Sequence, residues 1–321
     1  MKTLIELSRR QFIRGATLAA TGAAMSSLPP LRAAEKTTAG RVMARVPGKF
    51  PLRLRQCIKP VPAGLAYEPT FSDVQWEASE TAIIICDMWI EHPCRMAAQR
   101  VATLAPLLNQ VVSAARDHAA LIVHSPSEGP KFYEGTAFRR RATSAPFVQP
   151  PMPIRQRNEC EPGREPNLPV VTNNRVAKPP GPSGCDDPEV QSRGAPDRHQ
   201  HPALRMTGFD AVSDSGQEIF NLFRQEGIKN VVLTGVHTNM CVLGRSFGIR
   251  NWVHLGFNVV LCRDMTDALY DPRDPPFVSH TRGTELIIEH IEKYWCPSIL
   301  SESLCRVVPG SNNPPTSASR S

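Results

Sequence analysis

A continuous apolar run that ends at a carboxylate decides the fold, and it reads Thr81-Ala82-Ile83-Ile84-Ile85-Cys86-Asp87. An uninterrupted run of this length, without polar alternation, is typical of a strand buried on both faces of a parallel sheet. Apolar residues then recur at helical spacing over 96–118, which predicts a helix that packs on this strand. A second apolar run at 121–124 predicts the next strand, so the segment has the order strand, helix, strand.

The same alternation continues to residue 295. Further strands are predicted at 203–206, 231–234 and 259–262, and further helices from about Ser215 to Gly227, at 239–255 and at 284–295. Parallel strands joined by right-handed crossovers place helices on both faces of their sheet. We therefore predict an α/β fold, a three-layer sandwich with a mostly parallel sheet.

Several segments depart from this pattern. Residues 35–75 form an N-terminal extension with one predicted strand, 50–58, whose alternating apolar residues suit the edge of a sheet. The domain itself is predicted over 76–305. Within it, residues 143–202 hold 13 prolines and show no periodicity, which predicts an insertion that acts as a lid or an ordered loop. Residues 306–321 are rich in Pro, Ser and Asn and are predicted to be a disordered tail.

The first 34 residues are predicted to be an export signal. The pair Arg9-Arg10 precedes a weakly apolar stretch and the small residues Ala33-Ala34, which is the pattern of a twin-arginine signal. We therefore expect a periplasmic or extracellular protein. Most of the formal charge of +7 lies in this signal, so the remainder is only mildly basic and no nucleic-acid partner is expected. No other stretch approaches the length of a membrane span, and none is expected.

Two residues where predicted strands end are chemically distinctive. Asp87 stands at the mouth of a dry strand, where burial raises the pKa of a carboxyl group, although a buried Asp can instead hold a loop. Cys241 follows the turn 235–240 and falls in the first turn of a predicted helix, whose dipole favours a thiolate. Such a cysteine can also be a small buried apolar residue. Main-chain N–H groups at the same turn have no partner in the helix and can hold an oxyanion.

Three blocks of sequence together resemble the isochorismatase-like cysteine hydrolase family, which includes nicotinamidases. They are Ile84 to Trp89, Gly227-Ile228, and Leu233 to Val242, and the resemblance covers about 81–267. The third block is the most specific, because the family shows Thr-Gly-Val-x-Thr-Asn-x-Cys at its nucleophile. The resemblance implies a Rossmann-like α/β sandwich that acts on amides or enol ethers with a triad of Asp, Lys and Cys.

The resemblance also implies roles for individual residues. Asp87 would be the general base and Cys241 the nucleophile. Val236 and His237 would be joined by a cis peptide that shapes the oxyanion pocket, which makes both candidates for substrate binding. Trp89 stands where many relatives carry Gln, and its larger ring would reshape the floor of the pocket.

The lysine of the family triad has no clear counterpart in this chain. The lysines between the two catalytic candidates are Lys131, Lys178 and Lys229, and none ends the predicted third strand. Arg205 lies nearest to that place and would supply a fixed positive charge without shuttling a proton. Lys131 has the expected side chain but follows the second strand. We therefore expect Arg205 as the catalytic cation, with Lys131 as the alternative and as a substrate contact.

Several histidines fall in loops near the same edge of the sheet: His92, His124, His199 and His201. Their spacing is not that of a metal-ligand set, so no cofactor is expected, with a bound divalent metal as the alternative.

Three classes of function remain open from the sequence. The first is an exported cysteine hydrolase, or amidase, that cleaves a small amide, imide or ester through a thioester on Cys241. The second is a catalytically impaired protein that binds a small molecule on the same fold, and the third is a metal-dependent enzyme. The expected partner is a small-molecule substrate, whose identity the sequence does not give, nor whether the chain forms a homo-oligomer.

The nine cysteines raise the question of disulfides in an oxidising compartment. Cys86 and Cys262 lie on predicted core strands and are expected to be buried thiols. Cys160 and Cys185 share the insertion, where a bridge would close a loop of about 26 residues and stabilise it by roughly 3 kcal/mol. The hypothesis is that this pair is bridged after export.

Overall fold

The computed structural model describes residues 48–58, 67–170, 184–188 and 197–309. Its strands are β1 (Lys49–Ile58), β2 (Glu68–Glu77), β3 (Thr81–Cys86), β4 (Leu121–Ser125), β5 (Ala211–Val212), β6 (Asn230–Val236), β7 (Asn258–Asp267) and β8 (Ser298–Ile299). Its α-helices are α1 (Arg95–Asp117), α2 (Ala137–Thr143), α3 (Gly216–Glu226), α4 (Cys241–Gly244), α5 (Ile249–His254) and α6 (His280–Tyr294). The predicted export signal and most of the predicted tail lie outside the described residues.

The described strands form one sheet in the order β2-β1-β8-β7-β6-β3-β4-β5. All neighbouring pairs from β8 to β5 in this order are parallel. β1 pairs antiparallel with both of its neighbours, β2 and β8. From β3 the chain moves outward through β4 to β5, then crosses to the other side of β3 and continues through β6 and β7. The strand order therefore reverses between β3 and β6, the place where open α/β sheets bind ligands.

Helices cover both faces of this sheet, which gives the predicted three-layer sandwich. On one face, Leu108 of α1 shares a buried core with Ile85 of β3. On the other face, Phe223 of α3 and Trp252 of α5 share a core with Ile84. Alternate residues of a strand point to opposite faces, so β3 contributes to both cores. Among the described helices, none combines the length and the apolar character that crossing a membrane requires.

The third strand comes later in the chain than the sequence predicts. Residues 203–206 form turns, in which the Leu204 N–H donates to the His201 carbonyl (2.9 Å) and the Gln200 side chain donates to the Leu204 carbonyl (3.1 Å). The strand that pairs with β4 is β5. A four-residue apolar run is too short to distinguish a strand from a turn. The prediction of a strand at 203–206 is therefore wrong, and Arg205 does not end a strand.

The helix predicted over 239–255 is divided into α4 and α5. Arg245 follows α4 with an extended backbone, and Gly248 precedes α5. A Cβ at Gly248 would lie 2.9 Å from the Arg245 nitrogen, so the chain turns here more tightly than a continuous helix permits. The other predicted helices are present with somewhat different ends.

The predicted extension contributes two strands to the same sheet. β1 confirms the strand predicted at 50–58, but it pairs on both sides, so the edge position belongs to β2, which the sequence analysis missed. In the predicted insertion, residues 144–170 hold no helix and no strand longer than a single bridge.

A disulfide links the insertion to the sandwich, but with a different partner from the one predicted. Cys185 is bonded to Cys94 at the start of α1, with the Cα atoms 5.4 Å apart. Cys160 is a free thiol, so the prediction of a bridge between Cys160 and Cys185 is wrong. An ion pair between Arg95 and Asp187 (2.9 Å) holds the same segment on α1. Loop entropy alone favours a partner nearby in sequence, whereas the folded segment lies against a distant helix.

Candidate active site

The reversal point of the sheet brings Asp87 and Cys241 together. β3 and β6 are parallel neighbours with Cys86 opposite Gly235, so Asp87 leaves its strand beside the turn that leads to Cys241. Gly235 permits this close approach, because its φ is +88° and a Cβ there would lie 2.1 Å from the Cys86 carbonyl oxygen. The side chains of Asp87 and Cys241 are close enough for each to shift the pKa of the other.

Asp87 is a buried carboxyl group whose pKa is raised well above its ordinary value. Its exposed fraction is 1%, and loss of hydration disfavours the ionised form. The negative charge of Cys241 raises the pKa further, whereas hydrogen bonds donated by the Ser127 N–H (2.6 Å) and Oγ (3.1 Å) lower it. The φ of Asp87 is +45°, a conformation that costs a non-glycine residue on the order of 1 kcal/mol or more. Asp87 is thus a fixed carboxyl group beside the thiol that holds its proton more strongly than an exposed carboxyl group does.

The pKa of Cys241 is lowered to about 5. A hydrogen bond from Cys86 contributes most, burial opposes it, and the positive charge of Arg245 lowers the pKa further. Burial raises the pKa of Cys86 well above its ordinary value, so Cys86 remains a thiol, and the Cys241 sulfur and the Val236 carbonyl oxygen compete for its one proton. The site therefore favours a thiolate on Cys241, whereas burial makes Cys86 and Asp87 hold their protons more strongly than the same groups do in water.

The helix dipole contributes less to the lowered pKa of Cys241 than the sequence predicts. α4 is only four residues long, so few peptide dipoles are aligned behind Cys241. The N–H groups of Met240 and Val242 both donate to the His237 carbonyl (2.9 and 3.2 Å), which fixes the turn. Within the described part of the chain, the Cys241 N–H has no hydrogen-bond partner. It is available to an oxyanion beside the sulfur.

The peptide between Val236 and His237 is cis, as the family resemblance implies. The Val236 side chain is buried in the core, so this residue faces the site through its main chain. Its carbonyl accepts a hydrogen bond from the Cys86 thiol (3.1 Å).

Arg245 provides the positive charge that the sequence analysis sought elsewhere. Its N–H donates to the Cys241 carbonyl (3.1 Å), and the charge of its guanidinium group lowers the pKa of Cys241. Burial opposes its charge, but the negative charge of Cys241 raises the pKa of Arg245. A residue four positions after a residue at a helix start lies on the same face. That spacing is the signal in the sequence that could have identified Arg245.

Arg205 and Lys131 lie elsewhere. Arg205 is exposed, and its N–H is bonded to Oδ1 of Asn109 (3.0 Å). Lys131 is exposed, with Nζ 5.2 Å from the centre of the Phe132 ring. Among the described residues, no hydrogen bond or ion pair joins either side chain to Asp87 or Cys241. The expectation for Arg205 followed from the misplaced third strand.

A buried aromatic cluster lies on the two segments that carry Asp87 and Cys241, and its members are Trp89, His92 and His237. The Trp89 ring stacks on His92, with 4.9 Å between ring centres, and His92 meets His237 edge to face at 5.2 Å. Burial lowers the pKa of His92 to about 3 and that of His237 to about 4, so both are neutral at pH 7.

Several ring nitrogens of this cluster have no partner. Within the described residues, Nε1 of Trp89, both ring nitrogens of His92 and Nδ1 of His237 make no hydrogen bond of ordinary geometry. Buried polar groups normally find partners, so these are available to a polar ligand. Trp89 and His237 were predicted as substrate contacts, whereas the sequence analysis considered His92 only as a metal ligand.

Other histidines considered as metal ligands have different contacts. His124 lies between Oε1 of Gln200 (2.8 Å) and Oδ2 of Asp210 (3.1 Å). His199 is hydrogen-bonded to Asp197. In the segments that the structure describes, no group of three or more His, Cys, Asp or Glu side chains is arranged to hold a metal ion.

Comparisons with known proteins found a matching family model and several similar solved structures. Residues 81–274, more than half of the chain, match the family model of the Isochorismatase domain. A solved structure of a cysteine hydrolase from Pseudomonas syringae pv. phaseolicola is 16% identical with a TM-score of 0.43, covering 71% of this chain and 92% of that one. N-carbamoylsarcosine amidase from Thermoplasma acidophilum is 14% identical with a TM-score of 0.33, covering 60% and 87%. None of the curated proteins compared with the chain matches it.

Proposed function

Because the chain belongs to the isochorismatase family, we propose that it is an exported cysteine hydrolase that cleaves a small amide, imide or ester through a thioester on Cys241. The observation that carries the proposal is the juxtaposition of Asp87, Cys241 and Arg245 where the strand order reverses, with the pKa of Cys241 lowered to about 5. Acyl transfer needs a nucleophile, a proton carrier and a group that stabilises negative charge. These three side chains fit those roles.

In the first half of the reaction, the Cys241 thiolate attacks the carbonyl carbon of the substrate. Negative charge forms on the carbonyl oxygen, and the unpartnered Cys241 N–H stabilises it. Asp87 then gives its proton to the departing amine or alcohol as the C–N or C–O bond breaks. Cys241 is left carrying the acyl group as a thioester.

In the second half, Asp87 acts as a base. Its carboxylate takes a proton from the water molecule that attacks the thioester, the C–S bond breaks, and the acid product leaves. Cys241 departs as a thiolate, which the charge of Arg245 stabilises. An arginine side chain does not give up its proton in a protein, so Asp87 carries every proton transfer that a triad lysine would share.

The unpartnered ring nitrogens of Trp89, His92 and His237 serve in this proposal to orient the substrate. Neutral imidazoles and an indole N–H offer donors and an acceptor but no charge, which suits the polar atoms of an amide or imide. Arg205 and Lys131 have no step in the mechanism.

Hydrolysis of a panel of small amides, imides and esters tests the proposal. We expect the wild type to hydrolyse at least one compound, Cys241→Ala to hydrolyse none, and the matched control Cys262→Ala, which also removes a buried thiol, to keep the activity of its folded fraction. Hydrolysis that survives in Cys241→Ala would contradict the nucleophile. Compounds that raise the melting temperature of the wild type without being cleaved would favour a binding protein instead.

Export is the second part of the proposal. It is supported by the Arg9-Arg10 signal pattern and by the disulfide between Cys94 and Cys185, since disulfides persist mainly in oxidising compartments. We expect the wild type in the periplasmic fraction without its signal, and the variant with both arginines changed to lysine in the cytoplasm at full length. Cell fractionation with intact mass measurement decides this. A wild-type chain that stays in the cytoplasm at full length would contradict it.

A further inference from the structure

Two cysteines, not one, lie at the catalytic site. Cys86 ends β3 opposite Gly235 of β6, Cys241 begins α4 a few residues after Gly235, and each thiol is among the groups that shift the pKa of the other. The Cys86 sulfur also lies 3.1 Å from the Val236 carbonyl, so it points at the turn that carries Cys241. The hydrolytic mechanism uses Cys86 only as a hydrogen-bond donor, a task that a hydroxyl group would perform equally well.

The two thiols differ in accessibility. Cys86 is fully buried, whereas Cys241 is half-buried and open to small molecules. An oxidant from solution therefore reaches Cys241 first. The other free cysteines (Cys57, Cys160, Cys262, Cys296 and Cys305) belong to other parts of the fold, and within the described residues none of them is in hydrogen-bond contact with Cys241.

We propose that Cys86 and Cys241 form a redox pair that reduces hydroperoxides, with Cys241 as the attacking thiolate and Cys86 as the resolving thiol. In the first step, the Cys241 sulfur attacks the terminal oxygen of the hydroperoxide and the O–O bond breaks. The alkoxide, or hydroxide from hydrogen peroxide, takes the proton of Asp87 and leaves as an alcohol or water. Cys241 becomes a sulfenic acid, oxidised by two electrons.

In the second step, Cys86 resolves the sulfenic acid. Its sulfur bonds to the Cys241 sulfur, the S–O bond breaks, and hydroxide leaves with the proton of Cys86 as water. The product is a disulfide between Cys86 and Cys241, with Asp87 ionised. A small dithiol reduces this disulfide by two electrons, and its two protons restore the Cys86 thiol and the Asp87 acid. The cycle thus consumes one hydroperoxide and one dithiol.

This activity does not depend on the proposed hydrolysis. It requires the thiolate, the neighbouring thiol and the acid, but no acyl acceptor and no oxyanion site. The disulfide blocks the nucleophile, so the same cycle makes any hydrolase activity reversibly sensitive to peroxide. If the chain hydrolysed no compound, the redox proposal would still stand. If no disulfide formed between Cys86 and Cys241, the hydrolase proposal would still stand.

Peptide mapping of the wild-type protein tests the proposal directly. The purified chain is treated with one equivalent of hydrogen peroxide, its free thiols are blocked with iodoacetamide, and it is digested without reductant. We expect a crosslinked peptide pair that joins Cys86 to Cys241, an intact mass lower by two hydrogen atoms, and the bridge between Cys94 and Cys185 unchanged. Cys241 carrying two or three oxygen atoms while Cys86 is alkylated would overturn the proposal, as would a crosslink from Cys241 to any other cysteine.

Two variants sharpen the test. Cys86→Ser keeps a hydrogen-bond donor but cannot form a disulfide, so we expect Cys241 in this variant to gain oxygen atoms instead of a crosslink. Cys262→Ser removes another buried strand thiol and should crosslink like the wild type. Peroxide consumption with dithiothreitol is then measured. More than one turnover for each wild-type chain is expected, at a faster rate than for Cys86→Ser, in which dithiothreitol must reduce the sulfenic acid directly, whereas equal rates in both would overturn the role of Cys86. The wild-type map remains decisive even if Cys86→Ser folds poorly.

Discussion

Asp87 and Glu165 are two buried carboxyl groups with opposite ionisation. Their exposed fractions are 1% and 5%, so burial alone would raise the pKa of both. For Glu165, burial is outweighed by hydrogen bonds from His290 (2.7 Å), Arg250 (2.9 Å) and Trp295 (2.8 Å), which lower its pKa to about 2. Glu165 is therefore a carboxylate whose charge is fully compensated.

Asp87 lacks that compensation. Its hydrogen bonds from Ser127 are outweighed by burial and by the adjacent thiolate of Cys241, and the charge of the nearby guanidinium group of Arg245 lowers the pKa of Cys241. Glu165, which lies in the insertion, links that segment to α5 and α6 and has no remaining capacity for a ligand. The comparison indicates that a compensated buried charge holds structure, whereas an uncompensated one keeps a proton available for chemistry.

The largest expected effect is the loss of activity when the uncompensated carboxyl group is changed. Asp87→Asn should lower kcat/KM by roughly 10³-fold, because the amide cannot carry a proton between leaving group and water. The free energy of unfolding should change by less than about 1 kcal/mol, since the amide oxygen still accepts from the Ser127 N–H and the amide nitrogen can donate to the Ser127 Oγ. Steady-state kinetics and urea unfolding measure the two quantities. A stability loss as large as that of a Glu165 variant would contradict the comparison.

A change at Glu165, the compensated carboxylate, should lower stability and leave activity unchanged. Glu165→Gln is expected to lower the free energy of unfolding by about 3 kcal/mol, because it leaves the buried Arg250 without its counter-charge. The activity of the folded fraction should be kept. Glu159→Gln, at an exposed position of the same insertion, is the matched control and should be near neutral. Urea unfolding that shows equal stability for the two variants would contradict the assignment.

Acid titration separates the two groups further. The folded pKa of Glu165 is about 2 against an ordinary value of 4.5, so the unfolded chain binds this proton first as the pH falls. The stabilisation is complete above about pH 5 and is lost towards pH 2, an effect of up to about 3 kcal/mol that Glu165→Gln should remove.

A smaller effect is expected at the cation. Arg245→Met should raise the apparent pKa of Cys241 by about one unit, because the thiolate loses its positive neighbour. Arg205→Met and Lys131→Met are matched controls that should leave this pKa unchanged, since both side chains lie at the surface. Alkylation rates of Cys241 as a function of pH measure the shift. If Arg205→Met shifted the pKa of Cys241 more than Arg245→Met did, Arg205 would be the cation, as the sequence predicts, and the assignment of Arg245 would be wrong.

Long apolar runs made the centre of the fold predictable. β3, β4, β6 and β7 read as buried strands because burial on both faces leaves no place for polar alternation, and strand order then places Asp87 and Cys241 at one edge. The two-residue strand β5 has too little sequence to carry a pattern, and β2 lies exposed, where no pattern is required.

The cation and the second thiol could not be assigned in the same way. Arg245 reaches the thiolate only because α4 ends after one turn, which depends on a tight packing at Gly248. Cys86 was expected as a core thiol and is one, but its contact with Cys241 depends on the register of two strands distant in sequence. Side-chain contacts across a sheet are set by register, which one chain's sequence pattern does not specify.

The most direct test of the account is the rate at which iodoacetamide labels Cys241 between pH 4 and pH 10, followed by peptide mapping. The account predicts a half-maximal rate near pH 5 for Cys241, because Cys86 and Arg245 stabilise the thiolate while Asp87 keeps its proton. Cys305 is an exposed thiol whose pKa is raised by partial loss of hydration and by the charge of Asp264, so iodoacetamide should label it only at much higher pH. A Cys241 profile that coincides with that of Cys305 would contradict the central claim that this site holds a ready nucleophile.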